Sequence, residues 1–431
     1  MLQRTRLAAR RLLTMANLFE NLADVYGDRE VLDLVEPLGY RLFPSTTITC
    51  GDCLRFSNLA AEAFIRDQDL KKGERVLILT PNGGEFMLLA AAMIKAGGVV
   101  VPVDHTLPVA EIRERAAGCM ASLALVDGRI LEERPELVGS IPGIERCVAT
   151  GPRSDAPDQV PSLDEAMQVS SGFFLPYTLK PSNVVGLFYK ELREGSLKAV
   201  MATNQGLLGP QLWAASLMPS RPGDRCVHAM GLNSVSGFSS AVLGLCMGLH
   251  IRFTPLPDPG RILDAVEADK PAVFMAASET YPELLQAGAG GRDLSSVHLW
   301  LAAGEPLPPL VPEEFRDFSC ARLGRPQRSA MFVEAYGAGG RATMLALKPA
   351  LSSIAWPEGC PGLVLPPNRA GVFDREGRLV KHGGEGELAI RGPAVTPGYW
   401  NDVEGTLAAK RDGWFHTGIN ATRSNFLITL R

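Results

Sequence analysis

Long apolar runs are missing from this 431-residue sequence. No stretch of about 18 uninterrupted apolar residues occurs, so no candidate for a membrane-spanning helix exists. The most apolar stretch, 87–103, is interrupted by Lys95, Gly97 and Gly98 and reads as a buried helix followed by a buried strand. Charge of one sign is also scarce. Lys and Arg number 43 against 47 Asp and Glu, a net −4, which leaves no electrostatic footprint for nucleic acid. Cysteine is sparse: eight residues do not make a disulfide scaffold and suit a reducing, cytoplasmic setting. Cys50-Gly-Asp-Cys53 is the one CxxC, and a zinc site needs a second ligand pair at comparable spacing. It therefore reads as a helix start carrying two incidental cysteines, with no metal site expected. A secretory apolar region is absent as well. Met1 to Met15 is Arg-rich and free of acids, the composition of a transit peptide or an amphipathic extension. Because Met15 is itself a plausible start, residues 1–16 are read as an extension ahead of the fold. Internal repeats and low-complexity tracts are lacking.

What is present is an alternation of helix and strand periods. Arg75 to Thr80 is a short apolar run bounded by Gly73 and Pro81, the pattern of a buried strand. Glu85 to Ala96 has helical spacing and stops at Gly97-Gly98. Val99 to Val103 and Ala121 to Val126 are further strands, separated by a helical Val109 to Cys119. This order implies parallel βαβ units. The alternation resumes with helices at Gly206 to Leu217, Ser239 to Met247, Arg261 to Ala268 and Thr280 to Gln286. Strands are expected at Leu249 to Thr254, Ala272 to Ala276 and Val297 to Ala302. After Gly362 the segments shorten: Gly371 to Asp374, Arg378 to Val380 and Glu387 to Arg391 suggest a small antiparallel region. Residues 151–161, rich in Pro and Asp, read as a surface linker.

Motifs then narrow the reading. Gly384-Glu-Gly-Glu-Leu-Ala-Ile-Arg-Gly-Pro-Ala-Val-Thr-Pro-Gly-Tyr-Trp400 resembles the GELxIRGPxVxxGY block of adenylate-forming enzymes, the family of acyl-CoA synthetases, peptide-synthetase adenylation domains and luciferases. Asp412-Gly-Trp-Phe-His-Thr-Gly418 resembles that family's DGWFxTGD block. Leu70-Lys-Lys-Gly-Glu-Arg-Val76 with Pro81-Asn82, Lys95-Ala-Gly-Gly-Val-Val-Val-Pro102, Ala302-Ala-Gly-Glu-Pro-Leu307 and Tyr336-Gly337 match further segments in family order. The resemblance runs from about Asn17 to about Arg431. It implies an α/β fold: layered α/β subdomains with mostly parallel sheets, plus a small C-terminal β-barrel, with ligands at their junction. The expected division is 1–16 extension, 17–180 first subdomain, 181–355 second subdomain and 356–431 barrel. The family's C-terminal swivelling domain, with its catalytic lysine, is expected to be absent.

Adenylate formation joins a carboxylate to the α-phosphate of ATP, so the site must supply dipoles, cations and usually Mg²⁺. The family does this with a YTSGTTGKPK loop, whose small residues let backbone N–H groups wrap the phosphates. Here the corresponding segment is Tyr189-Lys-Glu-Leu-Arg-Glu-Gly-Ser-Leu-Lys198, in which only Tyr189, Gly195 and Lys198 match. Glu191 and Glu194 bring carboxylates toward phosphate oxygens, and two like charges about 4 Å apart repel by about 1 kcal/mol even in water. The segment is read as a solvated charged loop or helix, with Lys190 and Arg193 as point charges. In Tyr336-Gly-Ala-Gly-Gly340, glycines replace the Thr and the Mg²⁺-holding Glu of the family motif. Ile419 replaces the Asp that accepts from the ribose hydroxyls, a loss of roughly 1–3 kcal/mol where buried. Asn204 stands in place of a Thr-His pair, and Ser234-Val-Ser-Gly237 in place of an HxxG segment. His228 is read as a packed or surface residue rather than a ligand.

The resemblance implies nucleotide contacts at Gly195, Lys198, Gly304, Tyr336, Gly337 and Arg391, with Tyr336 stacking on adenine. It implies an acyl pocket at Ser234, Gly237 and Glu305, and no metal ligand. The expected function is an acyl-CoA synthetase-like protein that binds a carboxylic acid, acyl-adenylate or AMP, with ATP-dependent adenylation weak or lost. ATP or AMP and CoA are the cofactors implied, and Mg²⁺ loses its expected ligand. Two alternatives stay open. One is an active ligase that uses a separate C-terminal domain. The other is a non-enzymatic subunit that pairs with a paralogue or with itself.

Overall fold

The computed structural model describes residues 2–431 except 82, 138, 140, 142, 153–159, 193–194, 255–257, 322–329, 351–355, 382 and 425–426. Asn82, Arg193, Glu194 and most of the linker expected at 151–161 therefore lie outside the described residues.

Two largely parallel sheets share one core. The first has six strands in the order Arg146–Thr150, Leu123–Asp127, Arg75–Leu79, Val99–Pro102, Val184–Glu191, Leu197–Thr203, parallel until the last pair. Its strands show the expected period of two: Val76 and Ile78 face one apolar cluster, Leu77 and Leu79 another. The second sheet has nine strands. From Met331–Tyr336 through Leu299–Ala303, Val273–Ala277, Arg225–Ala229 and His250–Phe253 to Glu30–Asp33 it is parallel. Antiparallel strands flank it: Thr47–Thr49 at one edge, Ala346–Ala350 and Leu363–Val364 at the other. The chain segments 17–180 and 181–355 thus exchange strands, since 30–49 feeds the second sheet and 184–203 closes the first.

Between the sheets lie helices Gly84–Lys95 and Val235–Met247, both buried on every side. Phe86 and Phe238 meet across them with ring centroids 6.4 Å apart. Such all-round burial is why both read as apolar without a polar face. Residues of both sheets contribute to this one large cluster. Helices Val109–Cys119 and Pro259–Asp269 cover the outer faces.

The region read as a small barrel is a curled five-stranded antiparallel sheet: Arg369–Phe373, Glu385–Arg391, Trp414–Ser424 and Lys410–Arg411 in order, with Leu427–Leu430 added to Trp414–Ser424. Arg378 to Val380, expected as a strand, contributes only an isolated bridge from Leu379 to Phe373.

Three readings change. Residues 1–16 are not a loose extension. Helix Leu2–Ala8 docks by burying Leu7 completely and Arg4 to 3% exposure. The Arg4 guanidinium donates to the carbonyls of Met247 (3.0 Å), Met218 (3.0 Å) and Ala215 (3.3 Å), and to Ser220 Oγ (2.8 Å). These carbonyls end helices Asn204–Leu217 and Val235–Met247, where acceptors lack intrahelical partners and a cation is favoured. The second change concerns 189–198, read as a loop or helix, which is a β-hairpin. The third is Asn204: it starts a helix, accepts from the Met15 N–H at 2.8 Å, and so ties the N-terminal segment to the core. Cys50 and Cys53 do open helix Cys50–Gln68, capped by Thr49 and Asp52. Burial pushes the Cys50 thiol up to about 12, and both sulfurs are packing groups. Among the described residues no helix is long and apolar enough to cross a membrane.

Candidate functional site

In the nine-stranded sheet, Arg225–Ala229 is flanked by His250–Phe253 on one side and Val273–Ala277 on the other. The chain therefore reverses its direction of travel there. Open α/β sheets bind ligands outside the carboxyl ends of the strands at such a reversal. A cleft of about 510 Å³ lies at this place. Its floor comes from the residues just past four strand ends: Met230 and Gly231, Glu279 and Thr280, Gly304 and Glu305, and Gly337. The hairpin of the other sheet, Phe188 to Lys190, forms the facing wall.

Each floor segment has a local cause. Ser234 caps helix Val235–Met247, its Oγ accepting from Gly237 N–H at 3.0 Å and donating to Gly231 O at 2.9 Å. Gly237 is glycine because a Cβ there would stand 2.0 Å from the Gly231 carbonyl oxygen. It shapes the cleft from behind and does not line it, unlike Ser234 and Glu305. Glu334, on Met331–Tyr336, is buried and pairs with Lys348 across the strands at 2.8 Å. It also accepts from the Leu307 N–H at 2.8 Å, which fixes the loop carrying Gly304 and Glu305. Burial raises the Glu334 carboxyl above the ordinary range while Lys348 opposes the shift. Sequence reasoning missed this pair, because its members are 14 residues apart and only strand register brings them together.

Of the residues expected to contact a nucleotide, Gly304 and Gly337 line the cleft, and Gly195, Lys198, Tyr336 and Arg391 do not. Tyr189–Lys198 turns tightly: Gly195 N–H donates to Leu192 O at 2.8 Å, and Leu192 N–H donates to Ser196 O at 2.9 Å. Those two amides are spent inside the turn. Gly195, at φ +76°, sits exposed there. Lys198 lies outside the cleft and pairs with Asp402 at 2.8 Å. The Tyr189 hydroxyl donates to the Arg115 carbonyl. Glu191 is exposed and not among the cleft residues, whereas Lys190 is among them. Ala338, Gly339 and Gly340 run consecutively through positive φ, +51°, +61° and +82°. That path suits glycine and strains a larger residue.

Leu192, Tyr336 and Ile419 belong to one apolar cluster with Val200, Leu345 and Phe415. Ile419 is 4% exposed and Tyr336 2%. Tyr336 and Arg391 do not reach the cleft; they line a second cavity on the other side of this cluster. His228 is fully buried, its Nε2 2.7 Å from Ser240 Oγ, and burial pushes its pKa down to about 4. It is a packed, neutral residue rather than a surface one.

A profile of the AMP-binding enzyme family matches residues 19–400. The chain belongs to the AMP-binding enzyme family. Members it resembles include the 3-hydroxybenzoate–CoA ligase of Aromatoleum sp. (strain CIB), 24% identical over 86% of this chain and 69% of that protein. The long-chain-fatty-acid–CoA ligase of Bacillus subtilis (strain 168) is 24% identical over 84% of this chain and 67% of the relative. Among solved folds, the anthranilate CoA ligase AuaEII in complex with anthranoyl-AMP superposes with a TM-score of 0.82 at 18% identity, covering 98% of this chain and 78% of that one. The family relatives named here are thus acyl- and aryl-CoA ligases, and the fold match extends across 98% of this chain.

The ATP–Mg²⁺ of such ligases can be tested against the residues of this cleft. Among the described residues its charged lining consists of Glu279, Glu283 and Glu305 against Lys190. A triphosphate adds several negative charges to a site already short of cations. Among the described residues no group of three His, Cys, Asp or Glu side chains is placed to hold a metal ion. Among the described lining residues acids outnumber bases, a balance that disfavours a bare triphosphate and leaves a magnesium ion only these glutamates as protein ligands.

Proposed function

We propose that this chain binds a small carboxylic acid, or the corresponding acyl-adenylate, in the 510 Å³ cleft, and that ATP-dependent adenylation is weak or lost. The observation that carries this reading is the packing of Leu192, Tyr336 and Ile419 in a single apolar cluster. In the family resemblance, these three segments attend to phosphate, adenine and ribose; here their side chains belong to one apolar cluster. Buried apolar side chains such as Leu192 and Ile419 offer a nucleotide no hydrogen-bond acceptors. The cleft retains Phe188, Met230, Val235 and Ile262 as apolar surface, with Lys190, Ser234 and Ser236 as polar groups. Apolar walls carrying a few placed polar groups are what an organic acid needs.

The experiment is ATP–pyrophosphate exchange with benzoate, anthranilate, 3-hydroxybenzoate, ferulate and palmitate, alongside thermal denaturation with the same acids. The expected result is exchange at background for every acid, with at least one acid raising the melting temperature whether or not ATP and Mg²⁺ are present. Robust exchange with any acid would overturn the proposal.

A further inference from the structure

The cavity behind Tyr336 has a composition unlike the first cleft. It holds about 620 Å³ between the edge strands Ala346–Ala350 and Leu363–Val364 and the curled sheet. Its charged lining is Arg369, Arg391 and Arg423, with no Asp or Glu among the described lining residues. Arg369 and Arg391 stand directly opposite in antiparallel register, so both side chains project from the same face of the sheet. Like charges in that position destabilise a strand pair. Neither has a carboxylate partner among the described residues, although the chain as a whole carries an excess of acids. Arg391 is also held in place, its guanidinium 4.4 Å from the centre of the Trp414 ring, a cation–π contact that leaves the edge of the fork open. Apolar side chains complete the wall, among them Leu345, Leu379 and Leu388, and Leu363 shows 50% of its surface at the rim.

We propose that this cavity is a second binding site, for an amphipathic oxyanion: a carboxylate or phosphate monoester carried on an apolar body. The paired guanidiniums of Arg369 and Arg391 grip the oxyanion, since their planar forks match carboxylate and phosphate oxygens two at a time. The anion relieves the repulsion that the strand register imposes. The apolar body lies against the leucines. The site is separate from the first cleft and does not depend on what that cleft binds.

Titration calorimetry of the full chain tests this with four probes: decanoate, decyl phosphate, decanol and inorganic phosphate. Decanoate and decyl phosphate bind; decanol and inorganic phosphate bind about tenfold more weakly or not at all, because each lacks half of the recognised chemistry. The relative affinity of the two amphiphiles tells carboxylate from phosphate. The double variant Arg369→Gln/Arg391→Gln weakens both amphiphiles by about tenfold or more. Leu363→Glu, a half-exposed rim change that leaves the fold's core untouched, weakens them through its added negative charge and guards against misfolding of the double variant. Equal affinity in the wild type and in both variants would overturn the proposal. So would decanol binding as tightly as decanoate, or the absence of binding by either amphiphile.

Discussion

An isoleucine accepts no hydrogen bond, and at position 419 its environment is unsuited to a residue that does. Ile419 is 4% exposed and packed in the cluster that contains Leu192 and Tyr336. Returning an aspartate there would put a carboxylate among apolar side chains, where an unpaired charge shifts its pKa or opens the structure. Ile419→Asp is therefore expected to lower stability by about 3 kcal/mol or more, read by urea denaturation, without any gain in the melting temperature on adding ATP and Mg²⁺. A variant that kept its stability and acquired ATP protection would show that the nucleotide pocket is closed by one residue alone. The same logic applies to Gly340, whose φ of +82° places a glutamate restored there in a strained backbone.

At the scale of elements, the N-terminal helix shows how one side chain can serve two others. Arg4 spends its guanidinium on carbonyls at the ends of two helices, 211 to 243 residues away in sequence. Replacing it with methionine keeps the apolar stem and removes the donors. Arg4→Met is expected to cost about 2–4 kcal/mol, since hydrogen bonds to a charged group contribute more than neutral ones and the carbonyls are left buried. Chemical denaturation measures it, and a cost below about 0.5 kcal/mol would mean that the helix is only loosely attached. Composition alone left the segment open here, because Arg-rich and acid-free describes both a transit peptide and a docked amphipathic helix. Elsewhere the period was enough. Val109–Cys119 and Thr280–Gln286 occupy the residues expected of them, and the buried strands around Arg75–Leu79 and Leu299–Ala303 fall within two residues. Strands Glu30–Asp33 and Thr47–Thr49 were not legible, being short and defined by partners more than 200 residues on or by an irregular register. The hairpin at 184–203 was hidden for a different reason. Its alternating charges look solvated in sequence, and only the pairing of Lys190 with Lys198 and Glu191 with Leu197 reveals a strand. In the site, Ser234, Glu305, Gly304 and Gly337 were readable from motif position; the division of Tyr336 and Arg391 into another cavity depends on packing that no motif encodes.

Across the whole molecule, each parallel sheet contains one reversal of strand order, and the two reversals have been put to different uses. One opens into the 510 Å³ cleft. At the other, where Arg75–Leu79 is flanked by Val99–Pro102 and Leu123–Asp127, a polar knot adjoins a smaller cavity of about 290 Å³ lined by Glu85 and Arg129. The Tyr40 hydroxyl, from the segment that links strands Glu30–Asp33 and Thr47–Thr49 of the nine-stranded sheet, donates to Glu85 Oε1 at 2.6 Å and accepts from Gly151 N–H at 3.0 Å. Asp127, fully buried, lies close by: a Cβ on Gly151 would stand 3.1 Å from its Oδ2 and 3.3 Å from Glu85 Oε2. Burial, with a smaller push from Asp127, raises the Glu85 carboxyl from 4.5 to about 8, against the Tyr40 hydrogen bond. A carboxyl whose folded pKa is raised favours the folded state while it is protonated. That contribution is complete below about 4.5 and is lost as pH climbs through about 8. The joint between the two sheets should thus weaken steadily from about pH 4.5 to about pH 8, chiefly because the buried carboxyl lacks solvation once ionised and secondarily because it then faces Asp127. Glu85→Gln keeps an acceptor for Tyr40 and removes the titration. Melting temperatures taken from about pH 5 to about pH 9 should fall for the wild type and fall less steeply for Glu85→Gln, with the two curves diverging most above about pH 8. Parallel curves over that range would place the pH sensitivity elsewhere and leave Glu85 as a hydrogen-bonding group without a share in the pH response.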